Sequence, residues 1–482
     1  MTRPVLIVRL AFAAAPFDAI STLVWTDISA YVWLDGNPGG AAISINRGRQ
    51  FERDQMQAGT CTLVLDNRDR RFDPDNAASP YYPNVLPTKR INVRATWNSV
   101  TYDLFTGYVE SWVPLDPQAG AVGLNVVRLT AVDLMKTLNY TTFTMTESLS
   151  NNPVNVIQDV LSTLIPTAWP SADRIAGVNS PTQIPAQVWP TQSALPAIQT
   201  IAAADGGVFF IETDGRTAYH DRYWGARNSA NQAFFGDSVS TAVYGTSAAI
   251  DAVVTTIPMQ SVTALASSGT MQIGSELIGY TGLNTSPAQL TGCTRGAYGS
   301  IAATHAIFAA VTPVELPYQD VQFSFDDTRL INHADVTRAG GTLQSADDAS
   351  SQAQYGVRAT AITGLLITTD AEALSRAQYM VILYAQPYLR IASLVLNGSL
   401  TLSAVWVQIL ARTFDDKITV LRRPPGGGAA IAKVARIQAI SHSIGATDWT
   451  CTWQVYPVGN DQFWILEDAI SSVLGSTTRL AY

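Results

Sequence analysis

The stretch LDNRDRRFDPDNAASPYYPNVLPTKRINVRATW (Leu65 to Trp97) places three arginines and four aspartates within a dozen residues, runs through Pro80, Pro83 and Pro87, and then re-enters an alternating strand pattern. Residues Leu63 to Leu65 read as the end of a strand, and residues 66–76 read as a charged corner. Arg68, Arg70 and Arg71 are placed to fork onto Asp66, Asp69 or Asp73. Phe72 is expected to drop inward as an anchor, while Pro74, Pro80, Pro83 and Pro87 stiffen a long excursion. An ordered excursion of this length costs conformational entropy unless it packs on something. Asp66, Asn67, Arg68, Arg71, Phe72, Asp73 and Pro74 therefore admit two readings: a subunit interface, or an internal corner brace.

Outward from this corner, residues 1–135 read as β. AAISINRGR, GTCTLVLDN, KRINVRATW, YDLFTGYVESW and LNVVRLTAVDL are short alternating runs separated by Gly, Pro and Asn clusters, as expected of a barrel or a sandwich. The pattern changes at 136–227, an α+β region. Asn152 can cap a helix with Pro153 at its first position, a second helix fits SALPAIQTIAAADGG, and Asp214–Gly215 signals a hairpin turn in GVFFIETDGRTAYHDR. Residues 252–314 have short glycine-bounded strands and no helical period, so they read as an inserted β module whose flanks STAVYG and VQFSF could meet in one sheet. Segments 228–251 and 315–388 read as connecting strands and a second α+β region. There Thr369 and Glu372 have capping-box spacing and Pro387 lies just past the helix.

The last segment, 389–482, echoes the first. DKITVLRRP, VARIQAISHSI and WTCTWQVYPV match KRINVRATW, FTGYVESWVP and NVVRLTAV in order and spacing, though hardly in identity. The expected fold is mainly β with α+β parts: two antiparallel β-barrel domains, a small α+β domain, the inserted module, and a short closing helix in DQFWILEDAISSVLGS.

Composition narrows the function. Charged residues make up 14% of the 482, against roughly 25% in ordinary soluble proteins. That fits a surface covered by other subunits, and equally a β protein rich in Thr, Ser and Asn. The formal net charge is −8 and no basic stripe occurs, so nucleic-acid binding lacks electrostatic support. Cys61, Cys293 and Cys451 are far apart and read as buried apolar fillers. Arg9 interrupts VLIVRLAFAAA, so neither a signal segment nor a membrane span is expected.

Catalytic constellations are not legible. His220, His305, His333 and His442 lack zinc-ligand spacing. His220 and Asp221 are neighbours on a strand and point to opposite faces, which argues against a dyad. The acid pairs Asp326–Asp327 and Asp347–Asp348 read as solvated loop acids. RRPPGGGAA has no helix after it to make a phosphate cradle, and the arginines of DNRDRRFDPDN would repel calcium. No catalytic residue, metal or cofactor is expected.

The combination Arg47-Gly48-Arg49, Ala58-Gly59-Thr60, Leu65-Asp66-Asn67, Arg71-Phe72-Asp73-Pro74 and Gly107-Tyr108-Val109 resembles the N-terminal region of siphophage tail proteins, the minor tail or baseplate hub family. AADGGVFFIETDGRTAYHDR, IGSELIGYTG with LTGCTRGAYGSIAATH, DAEALSRAQYMVILYAQPYLR and DWTCTWQVYPV look like later parts of such proteins. The resemblance implies a structural virion protein at the distal end of a phage tail. It would be a homotrimeric tail-tip hub beneath a hexameric distal tail protein ring, contacting tape measure protein and receptor-binding or fibre proteins. DNA would pass through its channel without sequence-specific contact, and the hub would close that channel until genome ejection. Three chains with two barrels each would present six, matching a six-fold tube. A carbohydrate- or receptor-binding tail protein is the rival reading, allowed by 11 Trp, 18 Tyr and the inserted module. A cell-wall hydrolase is a third, without a constellation to support it. Some relatives carry a C-terminal hydrolase or receptor-binding extension, and neither is expected here.

Overall fold

The structure is a computed structural model describing residues 3–34, 42–115, 125–174, 180–228, 231–237, 243–263, 265, 269–297, 300–399, 404–428 and 430–458. Strand outweighs helix, 43% against 17%, so the protein is mainly β with α+β parts. Thirteen strands share one sheet. Seven come from the N-terminal region: β1 (Val5–Ala11), β2 (Thr26–Asp27), β3 (Ile43–Gly48), β4 (Gln57–Asp66), β5 (Arg90–Trp97), β6 (Val100–Leu115) and β7 (Val126–Val132). Six come from the rest of the chain: β8 (Asn231–Phe235), β9 (Asp320–Ser324), β10 (Arg390–Asn397), β11 (Lys417–Arg422), β12 (Ile431–Ile444) and β13 (Trp449–Pro457).

The order is β2-β1-β5-β6-β7-β4-β3-β12-β13-β10-β9, with β11 also on β12 and β8 beside β11. The two β regions read from sequence as two barrels are therefore halves of one sheet, joined where β3 pairs antiparallel with β12, Ile43 opposite Ile444 and Ile45 opposite His442. Ile43, Ile45 and Ile444 are fully buried, each stabilising the join by roughly 1.5–3 kcal/mol. Each half has a long central strand that changes partner midway. The first half of β6 pairs with β5 and the second with β7, the register slipping between Val109 and Ser111. In β12, residues 431–436 pair with β11 and 439–444 with β3, the slip lying between Ile437 and Ala439. Such bulges bend a strand and sharpen its twist, and both halves curl. In each, a single bridge spans the curl, Val32 to Leu65 in the first and Phe235 to Leu316 in the second. Among the described residues no ladder closes either half. β8 and β9 lie within segments read as connectors, yet they hydrogen-bond into the second half.

A tryptophan relay ties the halves together. Trp97 of β5 lies 6.1 Å from Trp406 in helix Ala404–Ala411, and Trp406 lies 5.2 Å from Trp449 of β13. One apolar core runs through both halves and the α+β parts. Cys61 and Cys451 belong to it and Cys293 to the module's core, all three buried as read.

The local signals match their elements. Asn152 Oδ1 accepts from Asn155 N at the start of α1 (Pro153–Ser162). The next helix, α2 (Ala194–Asp205), ends on Gly206 at φ 74°. Strands Val208–Ile211 and Thr217–His220 form the expected hairpin. Thr369 Oγ1 accepts from Glu372 N at the start of α3 (Asp370–Tyr384), which packs on a three-stranded sheet centred on His333–Arg338.

The inserted module has its own core, including Ile257, Met271, Ile278 and Leu290. Its pairing begins earlier than the sequence suggests, since Tyr244–Gly245 pairs with Ala310–Val311. Tyr244–Gly245 at the end of STAVYG and the strand of VQFSF thus lie in different sheets, and the meeting of flanks is made instead by Phe235 and Leu316. The closing helix expected in DQFWILEDAISSVLGS lies outside the described residues. Among the described residues no helix is long and apolar enough to cross a membrane.

Candidate functional site

The charged corner folds on itself. Arg68 pairs with Asp66, Arg70 with Asp73 and Arg71 with Asp69. Each aspartate also accepts a backbone N–H two residues on, from Arg68, Asp75 and Arg71 respectively. The arginine hydrogen bonds hold all three carboxyls below their usual range. Arg68 and Arg70 are exposed, and ion pairs in water stabilise little. What fixes the corner is beneath it. Asn67 is buried and its Oδ1 accepts from Phe72 N at 2.9 Å. Phe72 is fully buried, stacked 5.6 Å from Tyr81 and 6.0 Å from Trp112, with Tyr31 edge-on at 5.7 Å. Arg71 lies 3.8 Å over the Tyr31 ring and so bridges the charged surface to the aromatic cluster. Pro74 is exposed. All seven residues singled out in the sequence are brought together here.

The join of the two halves carries a second cluster, which the sequence did not reveal. Arg47 of β3 is buried, donates to Ile211 O at 2.5 Å, and lies 4.9 Å over Phe414. His220 Nδ1 is 2.7 Å from Asp415 Oδ2, and Tyr456 donates to the other oxygen of Asp415 at 2.8 Å. Arg436 donates to Asp415 O at 2.8 Å. The His220 ring stacks on Trp224 at 3.7 Å. Burial raises the Asp415 carboxyl, but hydrogen bonds from His220 and Tyr456 and the nearby cations outweigh it and leave the pKa lowered. Asp221, the sequence neighbour of His220, pairs instead with Arg227. A cavity of about 190 Å³ adjoins His220. Thr413 lines it, but that hydroxyl faces Glu212 at 3.5 Å. Among the described residues no hydroxyl or thiol is hydrogen-bonded to His220, so the pair is a buried brace rather than half of a nucleophilic triad.

Behind the join opens a larger cleft of about 510 Å³, bounded by residues 49–55, the start of strand Val208–Ile211, residues 221–225, helix α3 and the end of β13. In the module, Glu276 is fully buried and accepts from Arg295, His305, Gly296 N and Ala303 N. Asp326 takes Arg390 at 2.8 Å, and His333 bridges Asp335 and Asp347. Among the described residues no group of three or more His, Cys, Asp and Glu side chains is arranged to hold a metal ion.

No family model and no curated protein matches the sequence. Solved structures do match. The tail protein from Neisseria meningitidis MC58 is 10% identical and superposes with a TM-score of 0.51 over 94% of this chain and 96% of that one. The 43 kDa tail protein of prophage MuSo2 from Shewanella oneidensis is 10% identical, TM-score 0.47, over 94% and 97% of the two chains. Prophage tail protein gp18 from Listeria monocytogenes EGD-e is 9% identical, TM-score 0.43, over 94% and 95%. Across 94% of its length, this chain shares the fold of the Neisseria tail protein.

Proposed function

We propose that the protein is a structural component of a phage tail, the hub at its distal tip. The near-complete two-way coverage with the Neisseria tail protein carries this reading, because almost nothing in either chain is left over for a different architecture. The doubled sheet supports the finer form of it. β5-β6-β7 and β11-β12-β13 are the same antiparallel triplet, each with a bent central strand and each in a half curled across one bridge. Three chains would present six such halves, suiting a homotrimer beneath a six-fold distal tail ring, with closed symmetry and a central channel. Tape measure protein and DNA would pass through that channel, and receptor-binding or fibre proteins would attach around it. The chemistry is assembly; no residue is assigned a catalytic role.

An image reconstruction of the tail tip, with the mass of the purified protein in solution, tests this. Three copies, each giving both halves to one pseudo-six-fold layer, are expected. Six copies, or one half per chain in the ring, would overturn the hub assignment.

A further inference from the structure

The cleft behind the join gathers three arginines, Arg49, Arg222 and Arg376, that make no direct ion pair among the described residues. Arg49, Arg222 and Arg376 line it, and the Nε atom of each is buried without a hydrogen-bond partner. Among the described residues no carboxylate lies within ion-pair distance of Arg222 or Arg376, although thirteen other arginines pair with Asp or Glu. The acids that share the cleft are engaged elsewhere. Glu52 faces Arg329 at 3.4 Å, Asp221 pairs with Arg227, Asp415 holds His220 and Tyr456, and Asp54 accepts from Phe51 N at 3.0 Å. Asp205 and Glu372 act on the Arg376 charge from outside ion-pair distance, and Asp205 is itself buried and accepts from Ser180 and from Tyr219 at 2.7 Å. A buried guanidinium with an unmet donor is costly, and an arriving carboxylate relieves that cost with charge-assisted bonds. Met380, Leu383 and Tyr384 of α3 give the cleft an apolar and aromatic wall, where Arg53 lies 5.5 Å over the Tyr384 ring.

We infer that this cleft is a docking site for an acidic peptide segment of another tail component, its carboxylates on Arg222 and Arg376 and an apolar side chain against Leu383 and Tyr384. The apolar wall favours a peptide over a phosphate backbone, which offers nothing to bury there. The identity of the partner rests on the proposed tail role, but the cleft lies within one chain, so its binding and the trimeric hub fail or stand in separate experiments.

The test is fluorescence anisotropy on the purified full chain with three probes. One is a labelled peptide alternating glutamates with phenylalanine and leucine. The second has glutamine in place of glutamate, and the third is a thymidine oligonucleotide of equal length. The acidic peptide should bind, the glutamine peptide should not, and added salt should weaken the complex. Arg376→Gln and Arg222→Gln should each weaken binding by about tenfold or more, the loss of one charge-assisted pair. Arg68→Ala should leave it unchanged. If Arg376→Gln does not fold, Arg222→Gln decides alone, because removing one of two neighbouring like charges should not lower the melting temperature. Equal binding of the glutamine peptide, tighter binding of the oligonucleotide, absence of binding at about millimolar peptide, or binding indifferent to Arg222→Gln would each overturn the assignment.

Discussion

His305 Nε2 lies 2.7 Å from Glu276 Oε2, inside the inserted module, and the same carboxylate takes the Arg295 fork at 2.8 Å on both oxygens. Glu276 is fully buried and Arg295 nearly so, and the carboxylate ties Arg295, Gly296, Ala303 and His305 to the edge of the module's core. Burial alone would raise the Glu276 carboxyl, but Arg295, Gly296 N, His305 and Ala303 N overcome it and bring it down to about 2 from 4.5. The folded pKa is depressed, so this stability is present above about pH 4.5 and is lost as the pH falls towards 2. Glu276→Gln leaves Arg295 buried without its charge partner and should cost the module roughly 3 kcal/mol. Hydrogen exchange should locate the loss in residues 269–311, with the large sheet unaffected. Uniform loss across the chain would show that the module is not a separate cooperative unit.

The module's excision is the complementary experiment. Its core is separate, and its flanks already meet, Gly236 N donating to Leu316 O at 3.0 Å. Replacing residues 243–314 with a short Gly/Ser linker should leave the thirteen-stranded sheet folded, with a melting temperature close to that of the full chain. Repeated insoluble products from variants of this deletion would count against it.

At the charged corner, the ring and the ions make opposite forecasts. Phe72→Ala empties a site walled by Tyr31, Tyr81 and Trp112 and should cost about 3–5 kcal/mol. Arg68→Ala removes an exposed pair and should leave the melting temperature unchanged. Arg71 is the residue that separates brace from interface. If the corner touches a neighbouring subunit, Arg71→Ala lowers assembly, read by sedimentation, more than it lowers monomer stability. A variant that melts early yet assembles fully whenever folded would assign the corner to the brace.

What was legible in the sequence was local. The caps at Asn152 and Thr369, the Asp214–Gly215 hairpin and the inward turn of Phe72 depend on residues a few positions apart. Their chemistry is written in the chain. The echo of two strand triplets was visible for the same reason, since alternation and turn spacing survive loss of identity. The pairing of β3 with β12 was not, because period-two alternation says which face of a strand is buried but not which distant strand lies beside it. β8 and β9, at five residues each, are too short for their alternation to identify a partner sheet. The His220–Asp415 pair joins residues 195 apart. Reading His220 against its neighbour Asp221 therefore tested the wrong carboxylate. Asp415, a non-glycine at φ 64° beside a second aspartate, stands out only by its backbone, which is visible after folding and not before.

His442 supplies the sharpest forecast for the join itself. It sits on β12 opposite Ile45 of β3, nearly fully buried, and Trp449 Nε1 donates to its Nδ1 at 3.4 Å. An Nδ1 that accepts carries no proton, so the folded ring is neutral. Burial, with the Arg47 guanidinium close by, pushes its pKa down to about 3 from 6.5. Below about pH 6.5 the unfolded chain takes up a proton that the folded chain refuses. Stability from this group therefore falls as the pH drops from about 6.5 towards 3, by about 1.4 kcal/mol per pH unit. Asp133, which caps helix Leu134–Tyr140 and is raised by burial to about 7, acts in the opposite sense. Its contribution is present at low pH and is lost as the pH rises through about 7. Total stability is thus a poor readout, and the difference between two proteins is a good one. His442→Gln keeps an acceptor for Trp449 and removes the titration. Urea unfolding of both proteins from about pH 6 to about pH 4 should show the wild type losing about 2.5 kcal/mol relative to the variant. Parallel curves across that window would mean that His442 is protonated in the folded join, and the neutral ring drawn here would be wrong.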